Sequence, residues 1–219
     1  MSTRGLLNSI LGALLLVLLV AVQVQSAPAE HALEELYGTI KGNNLVKTGG
    51  TVHVSFDSKT AALYGTSEIY GCTVVVVLDG QGAVIGHYPQ EYGSEMTMDN
   101  AEATQKKIIT PLEAALDLID FTTQTQAYIV HSSDKPFKTK QSIGYKAIVQ
   151  ALTDNDMSET NIHSMPYAAG YSIVGHRGKV VVQWELKEDG GARLKLYVQD
   201  ELPVYLRDFD EDRNPCTEI

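Results

Sequence analysis

Alternation of hydrophobic and polar residues predicts strands towards both ends of the chain. Residues 51–56 alternate in this way, which is typical of a strand with one buried face. The same pattern runs through residues 180–186, and the turn-forming sequence Asp189-Gly190-Gly191 separates it from another alternating stretch at 194–198. We therefore expect an antiparallel hairpin in this last part of the chain.

A second hairpin is predicted between residues 72 and 88. Residues 72–78 are almost wholly apolar and rich in valine, and Asp79-Gly80-Gln81-Gly82 separates them from the apolar stretch 83–88. A loop of two residues, or of four, places Leu78 opposite Ala83. A loop of three residues would instead turn the side chains of one strand to the other face of the sheet.

The middle of the chain carries helical periodicity. Apolar residues recur at helical spacing between residues 103 and 119, with a break expected near Pro111, and again between residues 145 and 152. A further strand is predicted at 126–131. Strands clustered at both ends around a helical middle indicate an α+β fold with mainly antiparallel, layered sheets flanked by helices.

The first residues have the features of a signal peptide. Arg4 precedes an apolar run at residues 10–22, which is shorter than the roughly 20 residues that a membrane-spanning helix needs. Small residues follow, so cleavage after Ser26 or Ala29 is expected, and an uncleaved signal anchor is the alternative. We therefore predict a signal peptide at 1–26 and a single globular domain at 27–219 with an acidic C-terminal tail. The mature protein would be secreted, with no stable membrane association.

Charge and composition exclude some classes of protein. The formal net charge is −10, and removal of residues 1–26 takes Arg4 away and leaves −11. Such a charge argues against nucleic acid as a partner. Hydrophobic residues make up 44% of the chain, which excludes a disordered tail. Two cysteines permit at most one internal disulfide, so the hydrophobic core must stabilise the fold.

The candidate chemistry lies in the predicted 72–88 hairpin. If Leu78 is opposite Ala83, then His87 is opposite Val74, and Cys72 lies one diagonal step away on the same face. An ordinary thiol with a pKa near about 8.5 is mostly protonated at neutral pH, whereas an adjacent imidazolium lowers that pKa and makes the sulfur a nucleophile. His87 could then give a proton to a departing amine and activate water, provided that another group fixes its orientation.

Thr66 is the candidate for that third group. It lies six residues before Cys72, in what we expect to be a loop-like approach to the strand. From there its hydroxyl or its carbonyl could reach the imidazole of His87. The predicted catalytic residues are therefore Cys72, His87 and Thr66.

These residues carry a family resemblance. Ile69-Tyr70-Gly71-Cys72-Thr73, followed by a valine-rich strand and His87, resembles the Cys-His segment of cytotoxic necrotizing factor-type toxins and related glutamine deamidases. Several members also have a threonine six residues before the cysteine, as Thr66 is here, whereas many have Ser-Gly-Cys in place of Tyr70-Gly71-Cys72. The resemblance implies a β-sandwich flanked by helices. It also implies that a protein glutamine is hydrolysed to glutamate through a thioester on Cys72, without a metal or an organic cofactor, in a protein substrate with an accessible glutamine.

Two structural explanations of Cys72 stay open on the sequence alone. A cysteine at the start of a valine-rich strand is often part of the core. Alternatively, export passes through an oxidising compartment, where a disulfide between Cys72 and Cys216 would close a long loop and stabilise the fold. Either explanation favours a noncatalytic secreted binding protein as the alternative function.

Metal sites find little support in the sequence. Asp208, Asp210 and Asp212 imitate the start of a calcium loop, but Arg213 and Ile219 stand where glycine and glutamate are required. A solvated acidic tail explains these residues better.

Overall fold

The computed structural model describes residues 32–69, 71–89, 91–92, 95–96, 100–132, 142–167, 178–199 and 202–216. The expected signal peptide at 1–26 lies outside these residues, as does the end of the acidic tail beyond residue 216. No helix within the described ranges has both the length and the hydrophobicity needed to cross a membrane.

Two main sheets form the framework of the described chain. The five-stranded sheet has the order β1-β4-β3-β7-β8, the four-stranded sheet has the order β11-β10-β9-β2, and β5 and β6 form a short ribbon. The strands are β1 Thr51–Ser55, β2 Ala62–Thr66, β3 Thr73–Leu78, β4 Gly82–Tyr88, β5 Glu91–Tyr92, β6 Glu95–Met96, β7 Gln126–Ser132, β8 Ile162–Tyr167, β9 Val180–Leu186, β10 Ala192–Val198 and β11 Tyr205–Phe209. Every pairing is antiparallel except that of β7 with β8, which is parallel.

The helices include one that is locally widened. Helix α1 is Ala32–Gly38, α2 is Ala101–Thr104, α3 is Thr110–Leu116 and α4 is Ile143–Asp154. A π-helical segment joins α2 to α3. The break expected near Pro111 is this segment, because the Thr110 N–H donates to the carbonyl of Gln105 instead of to a nearer one. Pro111, which has no N–H to donate, lies just after this segment.

Each face of the central β3–β4–β7 region is covered by a different partner. Towards the four-stranded sheet, alternate strand residues form a core in which the rings of Phe56 and Trp184 stack with centroids 4.8 Å apart. The opposite faces of the same strands pack against α3 and α4 through residues that include Leu112 and Ile148. Full burial of each such side chain contributes about 1.5–3 kcal/mol, so β3 and β4, which are buried along their whole length, are the best-supported strands.

The α+β class, both predicted hairpins and the mainly antiparallel pairing are confirmed. The sequence pattern did not indicate β2, β8 or β11. Strand β2 is five residues long and includes Gly65, and β8 includes Pro166, so both lack the usual strand pattern.

The segment before β1 connects the two sheets. Leu45 pairs in parallel with Gly65 of β2, and the Val46 N–H donates to the Gly65 carbonyl at 2.8 Å. Only a few residues later the chain enters β1, which pairs with β4 in the other sheet. A strand that switches sheets in this way forms a corner of the sandwich.

Candidate active site

The β3–β4 hairpin carries two of the three predicted site residues. Leu78 pairs with Ala83 and Val74 with His87, so the expected register is confirmed. Cys72 lies just before β3 and packs, like Val74, in the core between the two sheets. Because directly opposed residues of paired strands share a face, Cys72 and His87 both face the four-stranded sheet. They are one diagonal step apart, which corresponds to a Cα separation of about 7–8 Å.

The tip of the hairpin explains why this register is adopted. Oδ1 of Asp79 accepts hydrogen bonds from the N–H groups of Gln81 at 2.7 Å and Gly82 at 2.9 Å. An aspartate that satisfies its own turn in this way fixes the loop at two residues. Burial raises the pKa of Asp79, and the two N–H donors partly oppose that effect. The turn therefore sets which face Cys72 and His87 share.

Thr66 reaches the site from the opposite sheet. The expectation that it lies in a loop-like approach to the strand is wrong, because Thr66 is the last residue of β2 and pairs with Val180 of β9. Its side chain is buried, and its Oγ1 lies 2.6 Å from Nδ1 of His87. This hydrogen bond joins the two sheets at the site.

The neighbours of Thr66 determine which ring nitrogen of His87 carries the proton. The Thr66 hydroxyl donates to the carbonyl oxygen of Val46 at 2.7 Å. A hydroxyl has one proton to donate, so Thr66 Oγ1 must accept from Nδ1–H of His87. A neutral His87 with its proton on Nδ1 has a lone pair on Nε2, as a general base requires.

The second nitrogen of His87 is buried without a partner. Nε2 makes no hydrogen bond to any described group, and the whole residue is 0% exposed. Burial lowers the pKa of His87 from its ordinary 6.5 to about 4. The imidazole is therefore neutral at neutral pH, whereas the hypothesis from the sequence considered an imidazolium beside Cys72.

A tight turn presents Cys72. The Cys72 N–H donates to the Ile69 carbonyl at 3.2 Å, and Gly71 has φ of 68°, a left-handed conformation suited to glycine. The hydroxyl of Tyr167, at the end of β8, shares its proton between the carbonyl oxygens of Ile69 and Cys72, the latter at 2.8 Å. Tyr167 thus restrains the backbone on both sides of the candidate nucleophile, and the Cys72 N–H is used within the turn.

The Cys72–Cys216 disulfide, which the sequence left open as an alternative, is not present in the structure. Cys72 is buried and Cys216 is exposed, and neither is part of a disulfide. A Cβ placed on Gly80, at the hairpin tip, would lie 2.7 Å from the Arg213 carbonyl oxygen, so the chain near Cys216 packs at the tip. Cys72 lies at the other end of β3, about 26 Å from that tip at strand spacing. The three residues from Arg213 to Cys216 can span at most about 11 Å, so the Cα atoms of Cys72 and Cys216 stay beyond the roughly 7 Å limit for a disulfide.

The described residues contain no group of three or more His, Cys, Asp or Glu side chains arranged to hold a metal ion. Asp208 was expected in the acidic tail but lies in β11. Its carboxylate accepts hydrogen bonds from Nε and Nη2 of Arg193, at 2.6 and 2.9 Å. The side-chain hydrogen bond from Arg193, followed by that from Lys187, lowers the pKa of Asp208 to about 2 despite partial burial. This pairing makes Asp208 a structural residue of the sheet.

Sequence reasoning missed two residues that hold the site together. Val46 contributes its backbone carbonyl, which accepts the Thr66 hydroxyl. Every residue has such a carbonyl, so the sequence cannot indicate this role. Tyr167 lies in β8, which has a proline and an irregular pattern, and reaches Cys72 from two strands away.

Comparison with solved structures finds a similar fold in the C-terminal domain of CNFy from Yersinia pseudotuberculosis, with a TM-score of 0.41 and 13% sequence identity. The match covers 73% of this chain and 58% of that chain. CNFy falls in the cytotoxic necrotizing factor group that the Cys-His segment resembles. No protein-family model and no curated protein matches this chain.

Proposed function

We propose that this chain is a secreted, cysteine-dependent protein-glutamine deamidase, with Cys72 as the nucleophile, His87 as the general base and acid, and Thr66 as the residue that orients His87. The observation that carries the proposal is the hydrogen bonding of the two ring nitrogens of His87. Its Nδ1–H is held by Thr66, and its Nε2 is an unpartnered, buried base on the face that Cys72 shares. A nucleophile, a base and an orienting group are the three parts that covalent acyl transfer requires.

The Cys72 thiol and Nε2 of His87 are not hydrogen-bonded in the structure, so the reaction begins when the thiol comes within hydrogen-bond reach of Nε2 and transfers its proton there. The thiolate attacks the side-chain carbonyl carbon of a glutamine, and a tetrahedral intermediate forms. His87 returns the proton to the departing nitrogen, so the C–N bond breaks, ammonia leaves and a thioester remains. Nε2 then takes a proton from water, the hydroxide attacks the thioester carbon, and the thiol is regenerated as glutamate is released. No redox step is involved.

Burial of His87 affects the two proton transfers in opposite ways. The neutral imidazole has a free lone pair on Nε2 that can accept a proton, but its low pKa makes it a weak base, whereas the imidazolium formed is a strong donor to the leaving group. The imidazolium exists only while the substrate is being transformed, when the thiolate or the intermediate supplies a compensating negative charge. The hydrogen bond to Thr66 keeps the ring in the productive orientation throughout.

The test is conversion of glutamine to glutamate by the exported protein. The purified protein is incubated with a eukaryotic cell lysate, ammonia release is followed, and modified glutamines are located by mass spectrometry. We expect new glutamate at specific positions with the wild type and none with Cys72→Ser. His87→Gln should lower the rate by about 10²–10⁴, the usual contribution of a general base. Cys216→Ser is the matched control, because its thiol is exposed and distant from the site, and it should retain full activity.

The alternative is a noncatalytic secreted binding protein. The observation that favours it is the burial of Cys72, which is only 7% exposed and packs in the core between the sheets. This function predicts that no glutamine is converted and that Cys72→Ser leaves partner binding unchanged. Loss of conversion in Cys72→Ser with folding intact would exclude it.

A further inference from the structure

A β-bulge lies directly beside the candidate general base. The Gly49 N–H donates to the His87 carbonyl at 2.6 Å, and the His87 N–H donates to the Gly50 carbonyl at 2.9 Å. Two consecutive residues just before β1 therefore oppose a single residue of β4, His87. Gly49 has φ of 82°. Two residues against one, with a left-handed glycine first, define a G1 bulge.

The bulge is continuous with a tight turn. The Gly50 N–H donates to the Lys47 carbonyl at 2.8 Å, and a positive φ at the third residue of such a turn corresponds to type II. A Cβ on Gly50 would lie 2.9 Å from the same Lys47 oxygen, too close for a backbone neighbour. The conformation of this turn thus requires Gly49 for its φ and Gly50 for its close contact.

The turn and bulge stand at the corner where the chain passes from one sheet to the other. Before the turn, Val46 is hydrogen-bonded to Gly65 and accepts the Thr66 hydroxyl. After it, Gly49 and Gly50 hold both backbone groups of His87. Residues 46–50 therefore contact both Thr66, in the four-stranded sheet, and His87, in the five-stranded sheet, which are the two partners of the hydrogen bond between the sheets.

We infer that Gly49 is a positioning residue, whose bulge fixes the orientation in which the His87 ring meets the Thr66 hydroxyl on the strand face that Cys72 shares. Bulges next to active sites commonly redirect a side chain in this way, because the extra residue bends and twists the strand. Regular pairing in place of the bulge would rotate the backbone at His87 and misalign its ring. The inference deepens the proposed deamidase function and rests on it for its effect on the reaction rate.

The experiment compares Gly49→Ala with Gly190→Ala. Gly190 also has a positive φ, 86°, and lies in the turn between β9 and β10. Both substitutions put alanine into a left-handed conformation, so both should lower the melting temperature. Only Gly49→Ala should lower kcat, by at least about tenfold at unchanged KM, as expected for a misplaced catalytic group. Only Gly49→Ala should also move the His87 ring signals and their titration midpoint in NMR.

A third variant tests whether the effect of Gly49→Ala results only from loss of folding. Gly49→Asn keeps a residue that tolerates the left-handed conformation, and it should restore kcat and the His87 titration towards wild-type values. Equal kcat per folded molecule in Gly49→Ala and Gly190→Ala, with identical His87 titrations, would overturn the inference. If the wild type itself converts no glutamine, the deamidase proposal fails, and the His87 titrations of the same variants still decide whether Gly49 positions the ring.

Discussion

Thr66 Oγ1 and His87 Nδ1, on strands of different sheets, lie 2.6 Å apart, and the same hydroxyl donates to the Val46 carbonyl. This pair fixes the tautomer of His87 and bridges the two layers of the fold. The fold and the candidate chemistry are therefore linked at one buried oxygen atom.

Replacing Thr66 by valine should affect both activity and stability. Thr66→Val keeps the shape of the side chain but leaves the His87 Nδ1–H and the Val46 carbonyl without this partner, at a cost of about 1–3 kcal/mol for each buried group. Without an acceptor at Nδ1, the ring can adopt the other tautomer, and kcat should fall by about 100-fold. Unfolding in denaturant and the rate of glutamine conversion measure the two effects.

Thr66→Ser is the matched control for that substitution. It retains the hydroxyl and removes only a methyl group, so kcat should stay within about threefold of the wild type, with a modest loss of stability. A Thr66→Val protein with wild-type kcat would show that the hydroxyl does not orient His87.

The sequence was sufficient for the hairpin but not for the site as a whole. The aspartate turn and the valine-rich strand specify the β3–β4 register locally, so the shared face of Cys72 and His87 could be predicted. The spacing of Thr66 from Cys72 pointed to a residue that does contact His87, although Thr66 lies in a strand and not in the expected loop. Its position depends on pairing of β2 with β9, a contact between residues far apart in the chain that no local pattern encodes.

The protonation of His87 was likewise beyond the sequence. The hypothesis from the sequence considered an imidazolium beside Cys72, because such a charge lowers the pKa of a thiol. The structure encloses the ring completely, and this burial lowers its pKa. Complete burial results from the packing of two sheets and a corner segment, which only the assembled fold determines.

The buried His87 should make stability depend on pH. Its pKa is about 4 in the folded protein against 6.5 as the ordinary value, so between these values the unfolded chain binds a proton that the folded protein does not. Stability therefore rises with pH across this window and is lost as pH falls from 6.5 towards 4. The full difference corresponds to about 3 kcal/mol. Urea unfolding at several pH values measures it.

His87→Gln isolates this contribution from other groups. Asp79 titrates with the opposite sign, because burial raises its pKa and favours the folded state at low pH. Subtracting the pH profile of His87→Gln from that of the wild type removes the Asp79 effect. Parallel profiles for the two proteins between pH 4 and 6.5 would contradict a neutral, buried His87.

The two thiols should react at very different rates. Cys216 is exposed, whereas Cys72 is 7% exposed and lies in the core. Iodoacetamide should therefore modify Cys216 at least about tenfold faster than Cys72, which needs local opening or substrate access to react. Peptide mapping after timed alkylation gives both rates, and Cys216→Ser should retain only the slow phase. A Cys72–Cys216 peptide under nonreducing conditions would instead show that the disulfide forms.

Removing the hydroxyl of Tyr167 should lower the reactivity of Cys72 without creating a cavity in the core. Tyr167→Phe keeps the buried ring but withdraws the donor shared by the Ile69 and Cys72 carbonyls. We expect kcat to fall by about tenfold at unchanged KM, because the hydroxyl positions the Cys72 backbone and is not available to substrate.

Tyr128→Phe is the control, since Tyr128 packs in the same core but is opposite Val76, farther along β3. If both variants alter kcat and Cys72 alkylation equally, the hydroxyl of Tyr167 has no specific role at the turn. A change confined to Tyr167→Phe assigns the effect to the two carbonyls that flank the sulfur.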